Sequence, residues 1–175
     1  RIWRESANEM RSRQAADRVI ALAVKEKSPD KLLTELKHAP ETPRRKLFYC
    51  RALAAAGRQD DVLRYLHDPA DERMRLAFLL EFKRWREAAA LLETLKEKYP
   101  AERESFLQQL TAIAVESRDR ALAERSVSEL LGNAKDRASA LEYSAGVFAL
   151  LGEHAKAAEL YSECLKLAPD RIELY

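Results

Sequence analysis

Residues 138–170 read ASALEYSAGVFALLGEHAKAAELYSECLKLAPD. Leu141, Ala145, Phe148 and Leu151 recur at the spacing that places them on one face of a helix. Gly152 breaks that run. Ala157, Leu160, Tyr161, Cys164, Leu165 and Leu167 form a second run, which Pro169 closes. Two amphipathic helices joined by so short a turn must lie antiparallel. The element is a helical hairpin. Its small residues let the two helices approach, and its large ones fill the hole in the neighbouring helix.

Looser copies lie upstream at intervals of roughly one hairpin length, the signature of a repeat. Residues 104–135 carry Leu107, Leu110, Thr111 and Ala114, a polar turn at Ser117-Arg118-Asp119, then Ala123, Val127, Leu130 and Leu131. Gly132-Asn133 reads there as a helix stop. Residues 70–100 carry Leu76, Ala77, Leu79 and Leu80, a turn around Lys83-Arg84, then Trp85, Ala88, Leu91, Leu92 and Leu95. Residues 43–69 carry Leu47, Cys50, Leu53, Gly57, Val62, Tyr65 and Leu66, with a short second helix. The closing signals Pro69, Pro100, Lys135 and Pro169 are 31, 35 and 34 residues apart. At the front, residues 2–26 contain no Gly or Pro and read as one long helix. Ser28 caps a second, with Pro29 at its first position, running to about Lys37.

The 138–170 segment resembles the tetratricopeptide repeat. That family has a large residue early in its first helix (Leu141), a small one in the middle (Ala145), an aromatic one turn later (Phe148) and Gly at the turn (Gly152). In the second helix it has an aromatic near the start, where this chain has His154, then Ala157, Tyr161, Cys164 and a closing Pro169. The resemblance covers residues 43–169 and is tightest at the C-terminal end. It implies an all-α, right-handed solenoid of about five antiparallel helix pairs with irregular N-terminal units. The expected units are 1–40, 43–69, 70–100, 102–135 and 137–169, and 170–175 begin a further helix. One solenoid segment, 1–175, is expected. Because the chain opens on Arg1 and stops at Tyr175, soon after Pro169, it reads as a piece of a longer protein.

Composition agrees. The chain is 47% hydrophobic and 34% charged, with only 4 Gly and 6 Pro, too few for the tight turns of an all-β fold. No apolar run reaches the roughly 20 residues of a membrane span, and no signal-peptide pattern opens the chain. No compartment follows from that.

Chemistry-bearing motifs are sparse. No Gly-rich phosphate loop, HExxH or strand-borne nucleophile occurs. His38, His67 and His154 fall near three turns, and no Cys or His pair has metal-ligand spacing. Packing accounts for His154, at a position the family gives to an aromatic. Cys50 and Cys164 sit where a repeat needs a small apolar residue, with no adjacent base to activate a thiol. No catalytic residue, metal or cofactor is expected, and the chain is not expected to be an enzyme.

The net charge of +2 hides a gradient: residues 1–60 carry six more basic than acidic residues, and the remainder four fewer. Arg44-Arg45-Lys46 and Arg51 lie on one helix, and Arg75 begins the corresponding helix of the next unit. If first helices line a concave face, as in the family, Arg44, Arg51 and Arg75 form a positive patch there. Ordinary solvated helix faces explain the same residues. Family members that grip chaperone C-terminal carboxylates do so with Lys and Asn on first helices. This chain has only Asn8 and Asn133, so that clamp is not expected.

The resulting expectation is a non-enzymatic protein–protein interaction scaffold holding a protein or peptide on its concave face. The residues expected to line that face are Arg44, Leu47, Arg51, Met74, Phe78, Ser105, Gln108 and Glu142. Two alternatives stand beside it. One is a structural segment of a bacterial envelope, secretion or exopolysaccharide-export machine, where similar stacks occur. The other is polyanion binding, to RNA or an acidic polysaccharide, through the basic N-terminal patch. No polar pair recurs from unit to unit as in helical-repeat RNA readers, so nucleic acid is not the expected partner. Ile172 and Leu174 would lie on an incomplete face, which predicts self-association.

Overall fold

A computed structural model of the chain describes residues 2–26, 28–38 and 42–169, with the backbone alone for 2–13. Among the described residues there are ten α-helices and no strand. They are α1 (Ile2–Lys25), α2 (Pro29–His38), α3 (Pro43–Ala55), α4 (Gln59–Tyr65), α5 (Glu72–Glu81), α6 (Trp85–Lys98), α7 (Arg103–Ser117), α8 (Arg120–Asn133), α9 (Arg137–Leu150) and α10 (His154–Leu167). The all-α, tetratricopeptide-like hairpin architecture read from the sequence is the observed one. The segment expected to follow Pro169, with Ile172 and Leu174, lies outside the described residues.

The chain divides into two compact units, residues 1–82 and 83–175. The boundary falls in the turn after α5, inside the stretch 70–100 that the sequence reads as one repeat. Helix α5 therefore belongs to the first unit and α6 to the second.

In the second unit α7–α8 and α9–α10 are the two regular hairpins, and α6 packs along α7. The small residues sit at the crossings. Ala114 and Ala123 are buried where α7 meets α8, and Ala145 and Ala157 where α9 meets α10. Leu110, Leu130, Leu141 and Phe148 fill the space between these points of approach, all buried. Cys164 is buried as well, and its thiol donates to the Ala138 carbonyl at 3.3 Å. Both cysteines are buried free thiols, acting as small apolar residues.

The turns repeat as closely as the cores. After α3, α7 and α9 one residue takes a left-handed conformation: Gly57 (φ 75°), Arg118 (φ 55°) and Gly152 (φ 79°). The next backbone N–H then reaches back five residues, Arg58 to Leu53 at 2.9 Å, Asp119 to Ala114 at 2.8 Å and Glu153 to Phe148 at 2.8 Å. That bond satisfies a carbonyl the helix end would otherwise orphan. Asp119 also caps α8, its carboxylate accepting from Leu122 N at 3.0 Å, and Asp136 caps α9 through Ser139 N at 3.1 Å. Gly132, read as a stop, instead lies within α8. That helix runs on to Asn133 because Ala134 leaves it in an extended conformation (φ −68°, ψ 130°) rather than through a left-handed residue.

Arg118 occupies a site that the turns after α3 and α9 give to glycine, while the turn after α5 has Lys83 (φ 56°) in the same conformation. A β-carbon there costs about 1–2 kcal/mol in the left-handed region, partly offset because glycine orders at greater entropic cost. Arg118→Gly is expected to stabilise the second unit by about 0.5–1 kcal/mol. Urea denaturation at unchanged slope measures it, and a lowered midpoint would contradict this account of the turn.

In the first unit α1 packs on α2 and α3, and α4 joins α3 to α5. Ile20, Leu33, Leu36, Leu53, Val62 and Leu66 form its buried interior. The Lys46 ammonium on α3 bridges both carboxylate oxygens of the buried Asp71, at 3.0 and 2.8 Å. Asp71 ends the Pro69–Asp71 turn, so this pair ties the entry of α5 to α3.

Candidate functional site

Three basic residues of α3, Arg45, Lys46 and Arg51, are committed to internal contacts. Arg45 donates to the Leu36 carbonyl at 2.8 Å, and Lys46 is held by Asp71. Arg51 pairs with Asp17 on α1 at 2.9 Å. Arg44 is exposed near the start of α3, while Leu47, Met74 and Arg75 are half-buried. Phe78 is only 3% exposed, its ring tilted against Phe82 at 5.6 Å between centroids. Helix α5 buries Leu76, Phe78 and Leu79, on more than one side, so its aromatic is core rather than contact surface. A depression of about 790 Å3 beside α1 and α3 is bordered by the Arg51–Asp17 pair.

The remaining three expected residues lie in the second unit. Ser105 and Gln108 are exposed on α7, and Glu142 is half-buried on α9. Between helices α7 and α9 lies an open groove of about 670 Å3. Glu142 lines it. Ser105 and the Gln108 side chain do not.

The groove is built from the face of α9 opposite its core. Leu141, Ala145 and Phe148 point into the hairpin, leaving Glu142, Tyr143, Gly146 and Leu150 toward α7. From α7 come Thr111, Ala112, Val115 and Glu116, and from α10 comes Tyr161. A three-way polar contact fixes the spacing of the walls. The Tyr143 hydroxyl donates to the Gln108 carbonyl at 3.1 Å, the buried Thr111 hydroxyl donates to the same carbonyl at 2.7 Å, and the two hydroxyls are 2.7 Å apart. Above this floor Leu150 is 75% exposed, a large apolar side chain left in water. The lining is otherwise mainly apolar, and among the described residues its charged members are Glu116 and Glu142.

A second depression, of about 820 Å3 between α6 and α8, is closed differently. Buried Lys96 reaches across it to Glu129 at 2.7 Å and pairs with Glu93 on its own helix at 2.6 Å, and Arg103 donates through Nε to Glu129 at 2.9 Å. Burial pushes the Glu129 carboxyl up, but the bonds from Lys96 and Arg103 outweigh it and hold the group below the usual carboxylate range. Burial likewise pulls the Lys96 ammonium down, yet Glu129 and Glu93 leave it raised. These charges are saturated by one another, which is the chemistry of a clamp between helices. Burial raises the Cys50 thiol to about 12, with Asp71 adding to it, so it is no nucleophile at neutral pH.

The sequence reading missed Tyr143, Gly146 and Leu150 because it followed only the stripe with the strongest repeat match. A signal was present: residues 142, 143, 146 and 150 form a second helical stripe with an apolar end. A helix apolar on two faces has two surfaces to cover. His154 is exposed at the first position of α10, so packing does not account for it as expected. The residue entering a helix at its first position projects past the crossing.

No protein-family model matches the chain, and no curated protein does. Among solved structures it is similar to MamA (residue 41 to the end) from Desulfovibrio magneticus RS-1. Identity is 15%, with 91% of this chain and 96% of that one covered at a TM-score of 0.49. It is similar also to nearly identical TPR-like repeats of a Podosopora anserina kinesin light chain-like protein. There identity is 13%, with the same 91% and 96% covered at a TM-score of 0.49. Neither likeness bears on what this chain binds.

Proposed function

We propose that this chain is a non-enzymatic protein-interaction scaffold, and that the groove between α7 and α9 is where a segment of the partner is held. The observation carrying the reading is Gly146. It lies in the middle of α9 and lines the groove. A glycine inside a helix costs about 1 kcal/mol relative to alanine. Packing does not call for it, since an added β-carbon would meet nothing nearer than the Tyr161 hydroxyl, at 4.0 Å. What the missing side chain does is keep the groove open beside Leu150.

Two exposed features agree. Leu150 and the Tyr143 ring offer apolar area that a partner would remove from water, at about 25 cal/mol per Å2. Polar groups for orientation stand at the groove's edge in Ser139 and the two glutamates. Polyanion binding is the weaker reading, because Arg51, Arg45 and Lys46 already have internal partners.

Gly146 supplies the test. Gly146→Ala is expected to raise stability by about 1 kcal/mol, whereas Gly146→Trp fills the groove without disturbing the core. Peptides selected from a random display library on the parent chain should lose at least about tenfold in affinity, or 1.4 kcal/mol, on the Trp variant. Selected peptides that bind both equally would rule the groove out.

A further inference from the structure

We infer that the second unit carries a further binding surface, formed by the depression between α6 and α8 and the two turns that open onto it. Its occupant is an acidic segment of a partner protein. The surface is separate from the groove between α7 and α9 and does not depend on it.

Two strained turns mark it. Lys83 and Arg118, each two residues before the start of a helix (α6 and α8), hold left-handed conformations at φ 56° and 55°. The turns after α3 and α9 give that position to glycine, which takes it freely. A β-carbon there costs conformational energy, and a strained residue that its surroundings do not explain is a mark of function. No local contact explains these two. Both side chains are exposed, and among the described residues neither has a hydrogen-bond or ion-pair partner. What they share is positive charge.

Both turns open on one cavity. Trp85 and Arg86, which follow Lys83, and Ser117 and Asp119, which flank Arg118, line the same depression of about 820 Å3. Arg86 stands on its α6 wall and Arg125 on its α8 wall. Each is exposed and without a partner among the described residues. The carboxylates beside them are already committed: Glu93 and Glu129 hold Lys96, and Asp119 accepts from Leu122 N at 3.0 Å. Four unpaired cations are thus gathered at one cavity, and carboxylates from outside the unit satisfy them.

The floor between the cations is apolar, formed by Ala89, Ala90, Ile113 and Leu122. An unbroken phosphate backbone has nothing to place on that floor and would lie against Glu93 and Glu129. A peptide interleaves acidic and apolar side chains, so it meets both features. Arg125 lies about 9 Å along α8 from Asp119 at the turn, a distance that an extended chain spans in about three residues.

Fluorescence anisotropy on the full chain tests this with three labelled peptides of one length. Each has two leucines, flanked by Glu, by Ser or by Lys. The Glu peptide should bind at least about tenfold more tightly than the Ser peptide, and the Lys peptide least. The preference should shrink as salt shortens the screening length. Lys83→Gly combined with Arg118→Gly keeps both turns and removes their charge. The urea midpoint should rise while affinity for the Glu peptide falls at least about fivefold; a merely structural role for these residues predicts no such loss. Arg86→Ser combined with Arg125→Ser should cost at least about tenfold. Equal binding of the Glu and Ser peptides by the parent chain, or full affinity in both double variants, would overturn the proposal. So would a labelled single-stranded RNA that binds more tightly than the Glu peptide and weakens in the same variants, because that gives the surface to nucleic acid. Gly146→Trp should leave the Glu peptide unaffected. A loss there would put the peptide in the α7–α9 groove, sinking this surface and leaving the other standing.

Discussion

Leu141→Ala is expected to lower the stability of the second unit by about 3–4 kcal/mol. Leu141 is fully buried on the inner face of α9, opposite the face that lines the groove. Truncating it loses the transfer energy of the side chain and leaves a cavity that rigid helices cannot collapse to fill. Alanine already occupies the close crossing at Ala145, so the helices cannot move nearer. A domain's total stability is only about 5–15 kcal/mol, so this one change removes a large share. Urea denaturation followed by helical circular dichroism measures it. A loss under about 1 kcal/mol would mean that the α9–α10 core is not close-packed as described.

The second large effect is electrostatic. Glu129→Ala is expected to destabilise the unit by about 2–4 kcal/mol, because it leaves the buried Lys96 ammonium with one partner instead of two and Arg103 without its main one. Much of that loss is the penalty of a buried cation, not the worth of the pair, so Glu129→Ala with Lys96→Met should recover part of it. The pH dependence has a determined sign. The Glu129 carboxyl is held low in the folded chain, so its contribution is present above the ordinary carboxylate value and is lost as pH falls through the folded one. The Lys96 ammonium is held high, so its contribution is present below the ordinary ammonium value and is lost as pH rises through the folded one. The clamp is complete between about pH 5 and pH 10. In the parent chain, stability should fall on acidification below about pH 5. Glu129→Ala should flatten that fall, and an unchanged acid limb would contradict the clamp.

The hairpins were legible in the sequence because each was marked twice, by an apolar stripe at helical spacing and by a turn signal. Gly57 and Gly152 announce the left-handed residue their turns require, and both turns fall where expected. At Arg118 and Lys83 the same conformation is taken by residues with no such preference. Only the polar cluster marks those turns, and the unit boundary falls beside Lys83. The site was less legible. Charge attracts attention in a sequence, and Arg44, Arg51 and Arg75 looked like a surface. The Arg51–Asp17 pair joins residues 34 apart, which no local pattern announces. Phe78 failed for a related reason, since helical spacing places a residue on a face without saying how many faces are buried. Glu142 lines the groove on α9, but the groove around it depends on α7 and α9 coming together. That contact is made through a backbone carbonyl and two hydroxyls, which hydrophobic patterning does not register.

The most direct measurement is the backbone amide spectrum of the labelled chain, titrated with a peptide selected from the display library on the parent chain. Shifts should concentrate at Thr111, Val115, Tyr143, Gly146 and Leu150, with α1, α3 and the outer faces of α6 and α8 unmoved. Shifts centred on Arg44 and Arg51, or spread along α6 and α8, would place binding elsewhere and contradict the assignment.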